Sequence, residues 1–578
     1  MINQQITAIF EEIADIMEIL GEDHFRVKTY RNVARVAKDT GEDLKRLANE
    51  DKLEGLAGVG KTSAEKIRQY IETGKIKAHE DLLEHIPHGL LDMLAIPGMG
   101  PKGVRSVWKG LGVESIDDLK NAIEDKRFES LPGFGAKKAH SILKGIDFLD
   151  STQGHIRLDQ ALMVAELITG TLRQLKSVKN IELAGLLRRC CETIGDIDIL
   201  VQADNSEEIV TFFTEMADVQ EVLAAGQTKA SVRFYRGDLC PDPVQVDLRI
   251  VPAESMGAAW QYFTGSQAHN VRLREIAVKK KLKLNEYGLF KEDKLVAGKT
   301  EQEIYKKLGL AYVPPAMRED RGEVELAQEN KLPKVVQQSD IRGDMHMHTT
   351  ASDGRAEIDD QISMARQLGY EYIAITDHSR SSVIANGLDT ERLLAHAERV
   401  REIDKQTEGL TIFAGSEVDI LTDGSLDYPD DVLAQLDYVI ASIHAGQKSD
   451  GDRNTRRLLS AMDNPYVNCL AHPTARLVNL REPMELDLER IFEKAAKTKT
   501  AMEISAAPKR LDLKDIHCRQ AAKAGVKFLI NTDAHDAFSQ TFIRYGVATA
   551  QRGWVTKADV INAKPLKSLR SWLTIKRK

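Results

Sequence analysis

From residue 338 to the end, the chain alternates short apolar runs with longer amphipathic stretches. Seven of these runs end in metal-capable or acidic side chains: His346 and His348, His378, Glu417, His444, His472, Glu503, and Asp533 with His535. Runs such as Tyr372-Ile373-Ala374-Ile375-Thr376 and Tyr438-Val439-Ile440-Ala441-Ser442 are continuously apolar and rich in β-branched residues, the pattern of strands buried on both faces. Helical periodicity over 357–368 and 389–404 separates them. Parallel strands joined by helices predict a β/α barrel, in which side chains at the C-terminal strand ends converge on one mouth. His346 and His348 alternate with Met345 and Met347, so both imidazoles face the same side.

Upstream the pattern changes twice. Residues 1–145 are helical stretches punctuated by three similar turns: Gly58-Val59-Gly60-Lys61, Gly98-Met99-Gly100-Pro101-Lys102 and Gly133-Phe134-Gly135-Ala136-Lys137. Glycines permit a tight turn with exposed backbone N–H groups, and the positive end of the following helix suits a phosphate. Three copies point to DNA-backbone binding, which positions the duplex without reading its sequence. Farther on, Ile194-Gly195-Asp196-Ile197-Asp198-Ile199 alternates strictly, placing both aspartates on one strand face, and Val244-Gln245-Val246-Asp247-Leu248 puts a third on the polar face of another strand. Side by side, these strands would gather three carboxylates able to hold two Mg²⁺ or Mn²⁺ ions.

At 578 residues the chain exceeds what one core supports, so several domains are expected. No apolar run approaches a membrane span, and Met1-Ile2-Asn3-Gln4-Gln5 carries no basic-then-apolar signal, which predicts a soluble, cytoplasmic, monomeric protein without a membrane partner. The five cysteines are odd in number and lack metal-ligand spacing, so reduced thiols are expected. A net charge of −8 argues against a uniformly basic nucleic-acid binder, but local patches decide phosphate binding. Asp353, in the turn Ser352-Asp353-Gly354, completes a set of nine imidazoles and carboxylates with Glu503 set aside: His346, His348, Asp353, His378, Glu417, His444, His472, Asp533 and His535. Such a set without cysteine suits Mn²⁺, Zn²⁺ or Fe²⁺, and spacing does not choose among them. Adjacent divalent ions at such a site imply phosphoester hydrolysis.

On these motifs residues 338–578 resemble the polymerase-and-histidinol-phosphatase (PHP) phosphoesterase domain. Residues 1 to about 320 resemble family X DNA polymerases, through the three hairpins, Gly185-Leu186-Leu187-Arg188-Arg189, the aspartates, Tyr262-Phe263-Thr264-Gly265-Ser266, and Leu284-Asn285-Glu286-Tyr287-Gly288. The resemblance implies a multidomain protein. Its parts would be a helix-hairpin-helix lyase-like domain (1–85), a fingers-like hairpin subdomain (86–150), an α+β nucleotidyltransferase palm (151–255), a thumb (256–316), a docked linker (317–337) and the PHP domain, a distorted seven-stranded β/α barrel (338–578).

By resemblance, Asp196, Asp198 and Asp247 bind the polymerase metals and Asp247 helps to deprotonate the primer 3′-hydroxyl. Gly185 and Arg189 hold the triphosphate of a deoxynucleoside triphosphate, Tyr262, Phe263 and Gly265 line the sugar pocket, and Asn270 and Arg274 sense the new base pair. Lys66 matches the Schiff-base lysine of relatives with deoxyribose-phosphate lyase activity, with Lys61, Arg31 and Arg26 as sources of positive charge. Tyr30 matches as well, whereas Thr62 replaces a second lysine. Leu186 departs from the family serine, and losing a hydrogen bond to a charged phosphate oxygen costs about 1.5–3 kcal/mol, which predicts a slower polymerase.

The implied protein fills short gaps in gapped or damaged double-stranded DNA during repair and processes 3′ ends with its barrel. Two alternatives remain open: a DNA-binding scaffold with a degenerate polymerase site that delivers 3′ ends to the nuclease, and a small-molecule phosphatase fused to a DNA binder.

Overall fold

The computed structural model describes residues 2–40, 43–152, 154–240 and 242–577. Its contacts divide into two units, Met1–Gln153 and Gly154–Lys578.

The first unit is helical, and its opening helix shows why. Along Ile2–Leu20, Ile6, Phe10, Ile13, Ala14 and Met17 recur at three- and four-residue spacing and enter one core with Val33, Ala64 and Ile67. Ile16 and Ile19, on an adjoining stripe, enter a second core with Val104, Val107 and Ile142. One helix thus serves both halves of the unit. The three hairpins are built alike: a single 3₁₀ turn (Leu53–Gly55, Met93–Ala95, Phe128–Ser130), then a glycine with positive φ (Gly58 98°, Gly98 90°, Gly133 80°), then a buried apolar plug. The plugs are Val59, Met99 and Phe134. Their amides bond the carbonyls of Leu56, Ile96 and Leu131 at 2.9–3.0 Å. Gly60 and Gly100 then cap the helices Lys61–Thr73 and Pro101–Leu111, and Gly135 precedes Ala136–Thr152.

The second unit begins with a five-stranded sheet: β1 (Val178–Leu183), β2 (Asp196–Ala203), β3 (Val219–Ala225), β4 (Lys229–Phe234) and β5 (Val244–Ile250), in the order β1-β2-β5-β4-β3. Only β2 and β5 run parallel to each other. Ile197, Ile199 and Val201 of β2 pack with Val246 and Leu248 of β5 against the helices Leu158–Leu172 and Ser206–Thr214, leaving the polar face to the aspartates. Helices Met256–Thr264, Gln267–Lys279 and Glu301–Leu308 follow, with a small antiparallel sheet of β6 (Lys283–Asn285), β7 (Gly288–Lys291) and β8 (Lys294–Ala297).

Residues 317–337, expected as a docked polar linker, are a packed seam. Arg318 is fully buried and pairs with Glu301 at 2.7 Å, and Glu323, at the start of helix Glu323–Gln328, is fully buried against His269 at 2.7 Å. Two of the charges that make this stretch look like a linker, Arg318 and Glu323, are paired inside the protein, whereas Glu325, Glu329, Lys331 and Lys334 are exposed.

The remainder is the expected seven-stranded parallel barrel: β9 (Gly343–Asp344), β10 (Tyr372–Ile375), β11 (Thr411–Asp419), β12 (Tyr438–Ser442), β13 (Cys469–Leu470), β14 (Ala501–Ser505) and β15 (Phe528–Asn531), in sequence order. A parallel bridge from Met347 to Ala534 nearly closes the ring beyond the last strand. The barrel packs on the five-stranded sheet within one unit: Leu511 and Tyr545 lie in that sheet's hydrophobic core, and Arg476 reaches Glu192 at 2.7 Å.

Candidate active sites

All nine expected barrel residues converge at the C-terminal strand ends. Donor atoms fall into three overlapping groups, each fully mutual within 4.8 Å: His346, His348 and Asp533; His348, Asp353, His378 and His535; and His378, Glu417 and His444. His472 joins through Glu417 Oε1 at 3.0 Å. Groups that share His348 and His378 are what a polynuclear centre requires.

The donors are oriented from behind. His346 Nδ1 donates to Glu503 at 2.8 Å and His444 Nδ1 donates to Asp419 at 2.6 Å, so each presents Nε2 to the cluster. Glu503 also accepts the His472 amide at 2.7 Å. Asp377, beside His378, is held by Ser352 at 2.6 Å, Thr349 at 2.8 Å and His396 at 2.9 Å, fixing the turn that carries Asp353. Two donors sit in left-handed backbone, His472 at φ 26° and Asp533 at φ 54°. For non-glycine residues this costs of order 1–3 kcal/mol each, and it concentrates at functional sites.

Carboxylates and imidazoles of the cluster hold one another charged, with neighbouring carboxylates outweighing burial to raise His346, His378 and His535. Burial opposes ionisation of Glu417, yet the imidazoles of His444, His378 and His346 outweigh it and hold the carboxyl well below its usual range. The same contest, against His346, His348, His535 and Arg510, holds Asp533 down. Burial, reinforced by His535 and His378, lowers His348 to about 4, leaving a neutral imidazole. Among the described residues, His348 Nδ1 and His472 Nδ1 are buried without a hydrogen-bond partner, while His378 Nδ1 and Glu417 Oε2 meet only each other, at 2.9 Å. Unpaired buried donors and acceptors are costly, so their concentration here fits a site completed by metal.

The second candidate lies on the five-stranded sheet. Asp198 and Asp247 are direct register partners across β2 and β5, and with Asp196 they offer oxygens within 4.8 Å of one another. Burial, with the charges of Asp196 and Asp247, pushes Asp198 up to about 7. Ser231 and Gln245 donate to Asp247. Gly185 is needed where it stands, because its φ is 61° and an added Cβ would lie 2.4 Å from Asp198 Oδ2.

The expected nucleotide-site residues are less uniformly disposed. Arg189 is buried and engaged, donating to the Thr264 carbonyl at 2.5 Å and to Glu319 at 3.1 Å. Its neighbour Arg188 makes a two-pronged contact to Glu301 at 2.9 and 2.7 Å and stacks on Trp260. Leu186 lies partly buried against the sheet core. Tyr262 and Phe263 pack edge to face with centroids 5.2 Å apart, and Gly265 has φ 70°. Asn270 is buried, donating to the Tyr262 carbonyl at 2.7 Å, while Arg274 is exposed. Lys66 is half-buried with its ammonium 5.7 Å from the Tyr30 ring centroid. Arg31 is spoken for by Asp15 and Glu18 and Arg26 by Glu22, so neither offers Lys66 an uncompensated charge.

Reading the sequence alone set aside Glu503, gave Asp377 no role of its own, and missed Asp419 and Arg510, which contacts Asp533 at 3.3 Å. A signal for Asp419 existed: it is two residues past Glu417 on one strand, hence on the same face.

Parts of the chain match known families. Residues 1–76 match the helix-hairpin-helix domain, 90–147 the SAM-like helix-hairpin-helix tandem, 259–319 the DNA polymerase beta thumb, and 344–507 the PHP domain. The chain is 35% identical over 575 residues to the DNA polymerase/3′–5′ exonuclease PolX of Bacillus subtilis (strain 168), covering 99% of both proteins. It is 24% identical over 347 residues to DNA polymerase lambda of Arabidopsis thaliana, covering 55% of this chain and 62% of that one. Over 231 residues it is 28% identical to a probable phosphatase of Thermoanaerobacter sp. (strain X514), covering 38% of this chain and 89% of that protein.

Proposed function

Because this chain belongs to the family of bacterial family X DNA polymerases with a C-terminal PHP domain, a polymerase and a 3′–5′ exonuclease in one chain, we propose how its residues divide the two activities. Asp196, Asp198 and Asp247 carry nucleotidyl transfer, and the barrel cluster of His346, His348, Asp353, His378, Glu417, His444, His472, Asp533 and His535 carries hydrolysis of the 3′-terminal phosphodiester. The observation that carries the division is the presence of two separate donor sets, one of three carboxylates and one of mixed imidazoles and carboxylates.

We assign Mg²⁺ or Mn²⁺ to the aspartates and Mn²⁺, Zn²⁺ or Fe²⁺ to the barrel, by ligand type. Bound divalent ions supply Lewis acidity, neutralising phosphoryl oxygens and easing deprotonation of the attacking hydroxyl or water. The protein's own part in the polymerase is to hold three carboxylates rigidly across two paired strands, with Asp247 the acceptor for the primer 3′-hydroxyl proton. In the barrel, Glu503 and Asp419 orient His346 and His444, and Arg510 balances charge at Asp533. The six hairpin glycines, Gly58, Gly60, Gly98, Gly100, Gly133 and Gly135, present backbone amides to DNA phosphates.

The substrate is a gapped duplex with deoxynucleoside triphosphates, in short-gap repair. A labelled primer on one-nucleotide-gapped DNA with Mn²⁺ tests this. Lengthening with nucleotides and shortening without them is expected. Shortening in both conditions would mean that Arg189, locked on Glu319 and Thr264, and Leu186 mark a polymerase reduced to a scaffold.

A further inference from the structure

The six most exposed large apolar side chains among the described residues are Phe25, Val278, Val383, Ile384, Leu480 and Phe538. Isolated exposed apolar groups are ordinary on any surface. Here four of the six stand on three loops that directly follow metal-donor strand ends: Val383 and Ile384 after His378, Leu480 after His472, and Phe538 after His535.

These tips are held in place at the barrel mouth. The turn Val383–Ala385 is bracketed by Ser382, which bonds Asp419 at 2.8 Å and His444 at 3.4 Å, and by Asn386, which donates to the Ala351 and Ser352 carbonyls next to Asp353. Ile384 is wholly exposed at its crest. Phe538 is fixed by Asp536, which accepts from Ser539, and by buried Gln540, which bonds Gln361; Gln361 in turn donates to the His348 carbonyl. Phe538 also packs edge to face on Phe542, at 5.8 Å. Leu480 follows Asn479, which is tied to the His155 carbonyl at 2.8 Å. Apolar tips held at the mouth of a hydrolytic centre and exposed among the described residues are platforms for something flat and apolar that enters with the phosphodiester.

We propose that Val383, Ile384, Leu480 and Phe538 form a stacking rim that takes the unpaired bases of a single-stranded 3′ terminus and so positions its last phosphodiester over the barrel cluster. The occupant follows from the site it adjoins: a barrel that cuts DNA 3′ ends receives bases with every scissile phosphate, and a base offers a π-face to aromatic or aliphatic platforms whatever its sequence. The rim makes the barrel prefer an unpaired end without selecting a sequence. This rests on the assignment of the exonuclease to the barrel.

The test compares the full-length protein with F538A, F538Y and V383S/I384S on single-stranded 3′ tails and on tails whose last two residues are abasic, with metal content and circular dichroism checked for each protein. F538A and V383S/I384S should raise KM on the ordinary tail, by roughly tenfold for the lost aromatic, with kcat kept. F538Y should behave as the parent. On the abasic tail, parent and variants should run alike. Equal KM values for parent and variants on the ordinary tail would overturn the rim. A parent that shortens no DNA 3′ end would instead overturn the exonuclease assignment, and the rim with it.

Discussion

Asp198 stands between Asp196 and Asp247, and burial plus those two neighbours raises it to about 7. A carboxyl in the unfolded chain titrates near 4. With the folded pKa raised, the favourable contribution to stability exists below about pH 4 and is lost as pH rises through 7. D198N removes the ionisable group. In EDTA it should melt above the parent at pH 8, and the gap should nearly close at pH 4, as read by differential scanning fluorimetry; a constant gap across that range would contradict the charge account. Glu301 is the opposite case. Burial alone would raise it, but Arg318 and Arg188 outweigh burial and hold it at about 2, so its contribution persists above pH 4.5 and fades only as pH falls toward 2. E301Q leaves Arg318 buried beside a neutral group, and removing one partner of a buried pair costs about 3–5 kcal/mol. Urea unfolding at neutral pH should show a loss of that order, and a loss below about 1 kcal/mol would mean that Arg318 finds water. Alternation along the strands was enough to place the aspartates on one face, but which carboxylate is most buried depends on neighbours from other elements.

Strand ends and hairpin turns were legible because their signals are local: a periodicity of two, a run of apolar residues, a glycine where φ is positive. The stretch 317–337 was not, because composition cannot say which charges are paired. There Glu319 is shared by Arg189 at 3.1 Å and by the barrel's Arg552 at 2.8 Å, and Arg552 also reaches Asp515 at 3.0 Å. This joins the segment carrying the nucleotide-site arginine to the last large helix of the barrel, Ile543–Arg552. A double-mutant cycle between Glu319 and Arg552 should return a coupling of about 0.5–3 kcal/mol in stability. Additive effects would show that the Glu319–Arg552 pair does not itself hold the seam. Glu503 was passed over for a related reason: in a strand of buried apolar residues nothing local distinguishes a metal-facing carboxylate from one that orients a histidine.

At the scale of the molecule, one chain joins a polymerase and a 3′–5′ exonuclease, and the two proposed donor sets share no residue. That separation is the central claim. It is tested most directly by following a labelled primer on gapped DNA with D198N and with E417Q, each with and without deoxynucleoside triphosphates in Mn²⁺. Asn at 198 removes the central carboxylate of one set, and Gln at 417 removes the carboxylate that touches His378, His444 and His472 in the other. D198N should shorten the primer in both conditions and never lengthen it. E417Q should lengthen it with nucleotides and leave it intact without them. If either substitution abolished both lengthening and shortening in a protein that remained folded, the two activities would not reside in separate sites.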